Sequence, residues 1–145
     1  MRSLLAAVAM SSALHAHAQT VEQEPARASI TVQATGFKDE RGQAIAKLFQ
    51  PGDDVLAAGR WEVKSSIHDG RATLVLPALP AGRYALVVFH DSNGNGQVDH
   101  GLLGPSEALG FSGGFRLSLI SGRPTFDELK FDFDGQATTL EVRVR

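Results

Sequence analysis

The chain of 145 residues contains no cysteine and only one tryptophan and one tyrosine. Without cysteine there is no disulfide framework, no thiolate metal site and no thiol nucleophile. The chain also has no large excess of positive or negative charge, because 14 Lys and Arg residues against 16 Asp and Glu residues give a formal charge of -2. A chain with this balance has no electrostatic footprint for nucleic acid, so no nucleic-acid partner is expected.

The first 18 residues have the features of a secretory signal peptide. Arg2 supplies a positive charge, Leu4–Leu14 is a short apolar run, and Ala16–Ala18 fits a small-residue cleavage pattern. The apolar run is too short to span a bilayer. We therefore predict a leader over 1–18 and one mature domain over 19–145, with no membrane span after cleavage. The protein is expected in the periplasm or outside the cell.

The mature chain alternates apolar and polar residues at period two and has no long helical period. Period two is typical of half-buried strands, and an unbroken apolar run is typical of a central strand. The predicted strands are Ser29–Thr35, Ala44–Phe49, Trp61–Ile67, Arg71–Leu76, Tyr84–Phe89, Glu128–Phe133 and Thr139–Arg145. About seven strands separated by Gly, Pro and Asp turns predict an all-β fold, a single antiparallel β-sandwich.

The segment Asp91–Phe115 does not follow the strand pattern. It contains seven of the chain's 15 glycines and three carboxylates, Asp91, Asp99 and Glu107, but no Lys or Arg. A loop of this length inside a compact domain commonly has a function. Because the segment offers no basic partner, we expect either water or a cation to serve these carboxylates.

Oxygen-bearing side chains recur at alternate positions at the start of this loop. The spacing is that of the first part of an EF-hand calcium loop, with Gly96 at the position of the sharp turn. Position twelve of such a loop is Leu102 here and not a glutamate, so Glu107 is the candidate that completes the shell. The predicted calcium ligands are Asp91, Asn93, Asn95, Gln97 through its backbone carbonyl, Asp99 and Glu107. Neutral ligands in this number suggest a Kd on the order of 10⁻⁴–10⁻³ M.

Other interpretations of the same loop stay open. The two Asn-Gly pairs within Asn93–Gly96 are also typical of plain turns, since both residue types tolerate positive φ. His90 and His100 with a neighbouring aspartate form the residue set of a zinc or iron site. Ser112 lies in a G-x-S-x-G sequence, but the strand and helix that a nucleophile elbow needs are not predicted around it. A small hydrolase using this loop is therefore the alternative, and a non-enzymatic module is the main prediction.

Two aromatic residues receive structural roles. Leu79–Tyr84 resembles a corner in which a tyrosine hydroxyl bonds a nearby backbone group. Trp61 is expected to pack in the core.

Several motifs together resemble a secreted bacterial family catalogued as domain of unknown function 2141. They are Gly42–Phe49, Gly82–Ala85, His90–Asp99, Leu103–Glu107, Gly110–Ser112 and Pro124–Phe126. The chain departs from the family pattern at Gly113, where asparagine is usual, and at Ser106, which replaces a common lysine. The resemblance implies a secreted β-sandwich similar to transthyretin-like or carboxypeptidase regulatory domains, and it implies no established activity.

Taken together, these features predict an immunoglobulin/transthyretin-like β-sandwich with one long Gly-rich loop. The expected function is that of an extracytoplasmic, non-enzymatic binding or structural module with a calcium-binding loop and an unknown partner. A purely structural module without an ion is the further alternative.

Overall fold

A computed structural model describes residues 24–102, 104–118 and 120–145, so the predicted leader over 1–18 lies outside the described residues. The described chain forms twelve strands, one short α-helix, α1 (Phe126–Leu129), and one 3₁₀ turn, Ser112–Gly114. The strands are β1 (Arg27–Ala28), β2 (Ile30–Thr35), β3 (Gln43–Phe49), β4 (Trp61–Ser65), β5 (Arg71–Val75), β6 (Leu79–Pro80), β7 (Gly82–Asp91), β8 (His100–Gly101), β9 (Gly104–Pro105), β10 (Leu109–Phe111), β11 (Phe131–Phe133) and β12 (Thr138–Arg143). The predicted all-β class is confirmed.

Two sheets contain most of these strands. The central sheet has the order β10-β7-β3-β4, with β11 also paired to β7, and the second sheet has the order β12-β2-β5. All pairs are antiparallel except β12 and β2, which run parallel from Thr138 opposite Ile30 to Arg143 opposite Thr35. The predicted antiparallel arrangement is therefore found in every strand pair of the described residues except this one. The reason is that the chain changes sheets between β11 and β12, so its last strand joins β2 through a crossover and not a hairpin.

The positions of the longer strands follow the sequence pattern closely, whereas the two-residue strands β1, β6, β8 and β9 were not predicted. The predicted strand Glu128–Phe133 begins as helix α1, and only Phe131–Phe133 is strand. The helix forms because the Glu128 carboxylate accepts a 2.9 Å hydrogen bond from the Thr125 backbone N–H, which satisfies a free donor at the helix start. Strand β10 was not predicted, since three apolar residues in a Gly-rich segment carry no periodic signal.

The central sheet has two apolar faces. On the inner face, alternate residues such as Ala46, Leu48 and Val88 pack against Val32 and Leu74 of the second sheet, and all of these are buried. Trp61 packs half-buried against this core, and its ring meets that of Tyr84 edge-on. Strand β7 is buried from Tyr84 onward, which agrees with its prediction as a central strand.

The outer face of the same sheet is covered by loops. Its buried residues include Ile45, Val87 and Phe89, and the residues that pack on them come from the connections, for example Val55 and Val98. The long Gly-rich loop is therefore part of the cover of this face.

The predicted tyrosine corner is confirmed. The buried Tyr84 hydroxyl donates a 2.9 Å hydrogen bond to the Pro80 carbonyl, and burial raises the pKa of this phenol. The only α-helix of the described chain is the four-residue α1. No helix in the described ranges is both long and apolar enough to cross a bilayer.

Candidate functional site

Asp91 is the last residue of β7 and its side chain is fully buried. Strand β3 lies beside it in register, with Gln43 opposite Asp91. The Gln43 side-chain amide donates a 2.7 Å hydrogen bond to Asp91 Oδ2. The loop then turns back over the carboxylate, and the backbone N–H groups of Asn95 and Gly96 donate to its two oxygens at 3.1 and 2.9 Å. Asp91 is therefore the anchor on which the loop closes.

These contacts set the charge state of Asp91. Burial acts to raise the pKa of this carboxyl, because a charged group is costly to desolvate. The hydrogen bonds from Gln43 and from the backbone of Gly96, Gly94 and Asn95 outweigh burial, so the pKa lies below its ordinary value. The group is a carboxylate at neutral pH.

Asp99 closes the other end of the loop. Asn95 connects the two aspartates, since its backbone N–H reaches Asp91 and its side-chain amide donates a 2.9 Å bond to Asp99 Oδ1. The Asn93 side-chain amide donates to Asp99 Oδ2. The side-chain oxygens of the two asparagines accept from the backbone N–H two residues on, at Asn95 and Gln97. Each of these two bonds closes a local turn that an asparagine side chain stabilises.

Glu107 lies far along the chain but reaches both ends of the loop. Its Oε1 accepts a 3.0 Å bond from the Ser92 backbone N–H and a 3.3 Å bond from the Ser92 hydroxyl. Its Oε2 accepts a 3.3 Å bond from the Asp99 backbone N–H. The predicted set Asp91, Asn93, Asn95, Asp99 and Glu107 is thus brought together in one hydrogen-bonded loop, and Gln97 joins it through its backbone N–H.

The expectation that only water or a cation would serve these carboxylates was wrong. Asp91, Asp99 and Glu107 all accept bonds from amide N–H groups of the protein. The sequence argument looked for Lys or Arg partners, whereas a tight turn aims several backbone N–H groups at one point. Among the described residues none of the three carboxylates has an ion pair, so the loop keeps its negative charge.

Two residues that support the loop were not predicted as part of it. One is Gln43, and the other is Gly42, which has a φ of +67°. A Cβ on Gly42 would lie 1.9 Å from the Asp91 carbonyl oxygen, so only glycine allows the two segments to meet. Neither contact has a local sequence signal, because β3 and the end of β7 are distant in the chain.

The histidines of the loop region have different surroundings. His90 is buried beside Phe37, and its Nε2 lies 2.8 Å from the Arg41 carbonyl oxygen, an acceptor that requires Nε2 to donate. His100 is exposed on β8. No group of three or more His, Asp or Glu side chains in the described ranges is placed to hold a metal ion. A zinc or iron site of His90, His100 and an aspartate is therefore not assembled.

Ser112 lies directly after β10 and is buried. Its hydroxyl accepts a 2.8 Å bond from the Leu86 backbone N–H and donates a 2.6 Å bond to the Leu129 carbonyl. Because β10 ends before Ser112 and β11 begins after Leu129, the hydroxyl satisfies the β7 backbone in the gap between the two partner strands. This position explains the serine without a nucleophilic role.

The arrangement defines an all-β chain whose central strand ends in a closed, negatively charged loop. A comparison with protein families matches residues 32–141 to the family described as uncharacterized protein conserved in bacteria, DUF2141. The chain belongs to this family, as its motifs indicated. A search of curated proteins found no match, and a search of solved structures found none either.

Proposed function

We propose that this chain is an extracytoplasmic, non-enzymatic β-sandwich module of immunoglobulin/transthyretin type whose Asp91–Asp99 loop binds calcium. The central sheet and the second sheet share one apolar core, which supports the sandwich class. The features of residues 1–18 support export to the periplasm or the cell exterior. The partner of the module is an extracytoplasmic molecule of unknown identity.

The observation that carries the calcium proposal is that one loop joins Asp91, Asp99 and Glu107 in a single hydrogen-bond network without any ion pair in the described chain. The described residues hold no ready-made group of three acidic side chains around one point, so binding requires these side chains to move toward the ion and the asparagines to complete its shell. A calcium ion would neutralise this charge and take oxygen ligands from the same side chains. A carbonyl oxygen has two lone pairs, so Asn93 and Asn95 can accept their backbone bonds and still ligate a cation through Oδ1. The ion would replace the amide bonds on Asp99.

Thermal unfolding with millimolar calcium and with excess EDTA tests the proposal. A ligand that binds only the folded state stabilises it, and a site with a Kd on the order of 10⁻⁴–10⁻³ M gives about 1 kcal/mol at millimolar calcium. We expect a rise in Tm of about 3–6 °C, reversed by EDTA. Asp99→Asn keeps the shape of the side chain and removes its charge, so the rise is expected to vanish in this variant.

The matched control is Asp134→Asn. Asp134 also accepts a backbone bond in a turn, 2.9 Å from the Gln136 nitrogen, but it lies outside the loop. The control is expected to keep the full calcium shift. An equal Tm in calcium and EDTA for the parent protein would contradict calcium binding, and loss of the shift in Asp134→Asn would show that the effect is not specific to the loop.

A second candidate is a structural module without an ion. The specific observation in its favour is that Asp91, Asp99 and Glu107 already accept hydrogen bonds from the loop itself. In that case the loop is a rigid turn, calcium does not change the Tm, and the partner binds elsewhere on the module.

A further inference from the structure

The outer face of the central sheet carries a cavity of about 510 Å³. Val87 and Phe89 of β7 form its floor, and one wall is the turn at Val55–Ala57. The long loop contributes Val98 and His100 on another side. This volume lies within the range of small-molecule sites, about 300–1,000 Å³.

The chemistry of the lining is uneven. Most lining residues are apolar, and the charged or titratable ones are Lys47, His100 and Arg123, with no carboxylate among them. Arg123 and His100 are exposed and so belong to the rim, whereas the Lys47 side chain is only 15% exposed. The cavity therefore combines a mostly apolar lining with basic residues.

Lys47 is the residue that gives this cavity a preference. Its Nζ lies 5.2 Å from the centroid of the Phe89 ring, over the floor. Its carboxylate partner, Glu62, is 3.8 Å away, too far for a hydrogen bond. The ammonium donates no hydrogen bond to any residue of the described ranges. A half-buried ammonium with unused donors is a good partner for an anion.

We propose that this cavity binds a small amphipathic anion, with the apolar body over Val87 and Phe89 and the anionic group at Lys47. Charge complementarity supports this occupant, because every charged residue of the lining is basic and the nearest carboxylate to Lys47, Glu62, lies outside the lining. Arg123 at the rim adds a weaker attraction, because Asp54 lies 3.8 Å from its guanidinium and offsets part of its charge. The proposal does not depend on calcium in the Asp91–Asp99 loop, because β7 forms the floor, β3 supplies Lys47, and Val98 is the single lining residue that lies within this loop.

Two fluorescent probes with the same aromatic body test the proposal: anilinonaphthalenesulfonate, which is an anion, and phenylnaphthylamine, which is neutral. Both are titrated into the purified protein and its variants. Lys47→Met keeps the length and apolar character of the side chain and removes its charge. We expect this variant to bind the anionic probe about tenfold more weakly, as for loss of a charge-assisted hydrogen bond, and to bind the neutral probe unchanged.

Lys64→Met is the matched control, since Lys64 lies on β4 of the same sheet but does not line the cavity. It is expected to leave both affinities unchanged. Arg123→Met is a second variant whose side chain is 75% exposed, so its removal spares the fold. This variant is expected to bind the anionic probe about threefold more weakly at low salt, as for loss of an exposed charge pair.

Ala57→Trp tests the location, because a large side chain on this wall fills the cavity. Binding of both probes is expected to fall in this variant. The proposal is overturned if the parent protein binds neither probe, if Lys47→Met changes both affinities equally, or if it changes neither. It is also overturned if Ala57→Trp leaves both affinities intact.

Discussion

The central sheet is covered by different material on its two faces. On the inner face, strands of the second sheet pack against it, and residues such as Leu48 and Leu86 are fully buried. On the outer face, the cover consists of connections and the short helix α1, which contribute single apolar residues, for example Val55 and Phe126. The outer face also carries the cavity at Lys47.

The difference places the close packing on one face of the sheet and the cavity proposed for ligand binding on the other. Two pleated surfaces interdigitate along their whole length, whereas loops leave irregular gaps because their own backbone polar groups must also be satisfied. Loops also tolerate change better than strands, so binding residues are commonly found there. We therefore expect substitutions on the inner face to affect folding and those on the outer face to affect ligands.

The largest expected effect compares one leucine on each face. Leu86→Ala removes a fully buried side chain from the inner core and is expected to lower the free energy of unfolding by about 2–5 kcal/mol. Leu109→Ala on the outer face is expected to cost no more than about 2 kcal/mol, because this side chain already borders a cavity. Urea denaturation at neutral pH measures both values. Equal losses would contradict the comparison.

The next effect tests how tightly the loop is fixed to β3. Gly42→Ala places a Cβ against the Asp91 carbonyl in a left-handed backbone conformation and is expected to cost about 3 kcal/mol. Gly94→Ala is the control, since Gly94 also has a positive φ, +76°, but a Cβ there meets nothing within 4 Å. It is expected to cost about 1 kcal/mol. If both variants unfold at the same urea concentration, the close approach at Gly42 does not contribute to stability.

The smallest effect concerns the charge of Asp91. Its pKa is lowered in the folded protein, so the carboxylate stabilises the fold above the unfolded-state pKa of about 3.9, and this stabilisation is lost as pH falls through the folded value. Asp91→Asn is expected to lower the free energy of unfolding by about 1–3 kcal/mol at neutral pH. The difference from the parent protein is expected to shrink in acid.

Asp132→Asn provides the comparison for this pH dependence. Asp132 is exposed on β11 and makes only a 3.3 Å surface contact with Arg83. Its substitution is expected to change stability by no more than about 0.5 kcal/mol at either pH. Denaturation curves at neutral and acid pH distinguish the two variants, and an Asp91→Asn loss that is constant with pH would show that its charge is not involved.

The sequence predicted the positions and buried faces of the longer strands better than it predicted strand pairing or the short helix. The alternation in Ile30–Thr35 and the apolar run of β7 predicted both the strands and the faces they bury. The parallel pairing of β12 with β2 was not predictable, because period two gives a face but no partner or direction. Helix α1 was missed because four residues are too few to show a helical period.

In the candidate site, too, some features were predicted from the sequence and others depend on tertiary contacts. The spacing from Asp91 to Asp99 predicted that these side chains act together, because neighbouring residues in a short turn must lie close in space. The contacts of Gln43, Gly42 and Glu107 with this loop arise only from tertiary structure, since they depend on the register of β3 beside β7 and on the return of the chain at residue 107.

The sequence alone therefore determined the all-β class, the central strand, the tyrosine corner and the grouping of Asp91 to Asp99 in one loop. Each of these features rests on local periodicity or spacing. Only the tertiary structure decided which groups satisfy the three carboxylates and where Ser112 directs its hydroxyl. It also decided that Lys47 lies beneath loops in an apolar cavity. These features depend on residues far apart in the chain, which meet only when the two sheets and their connections have packed.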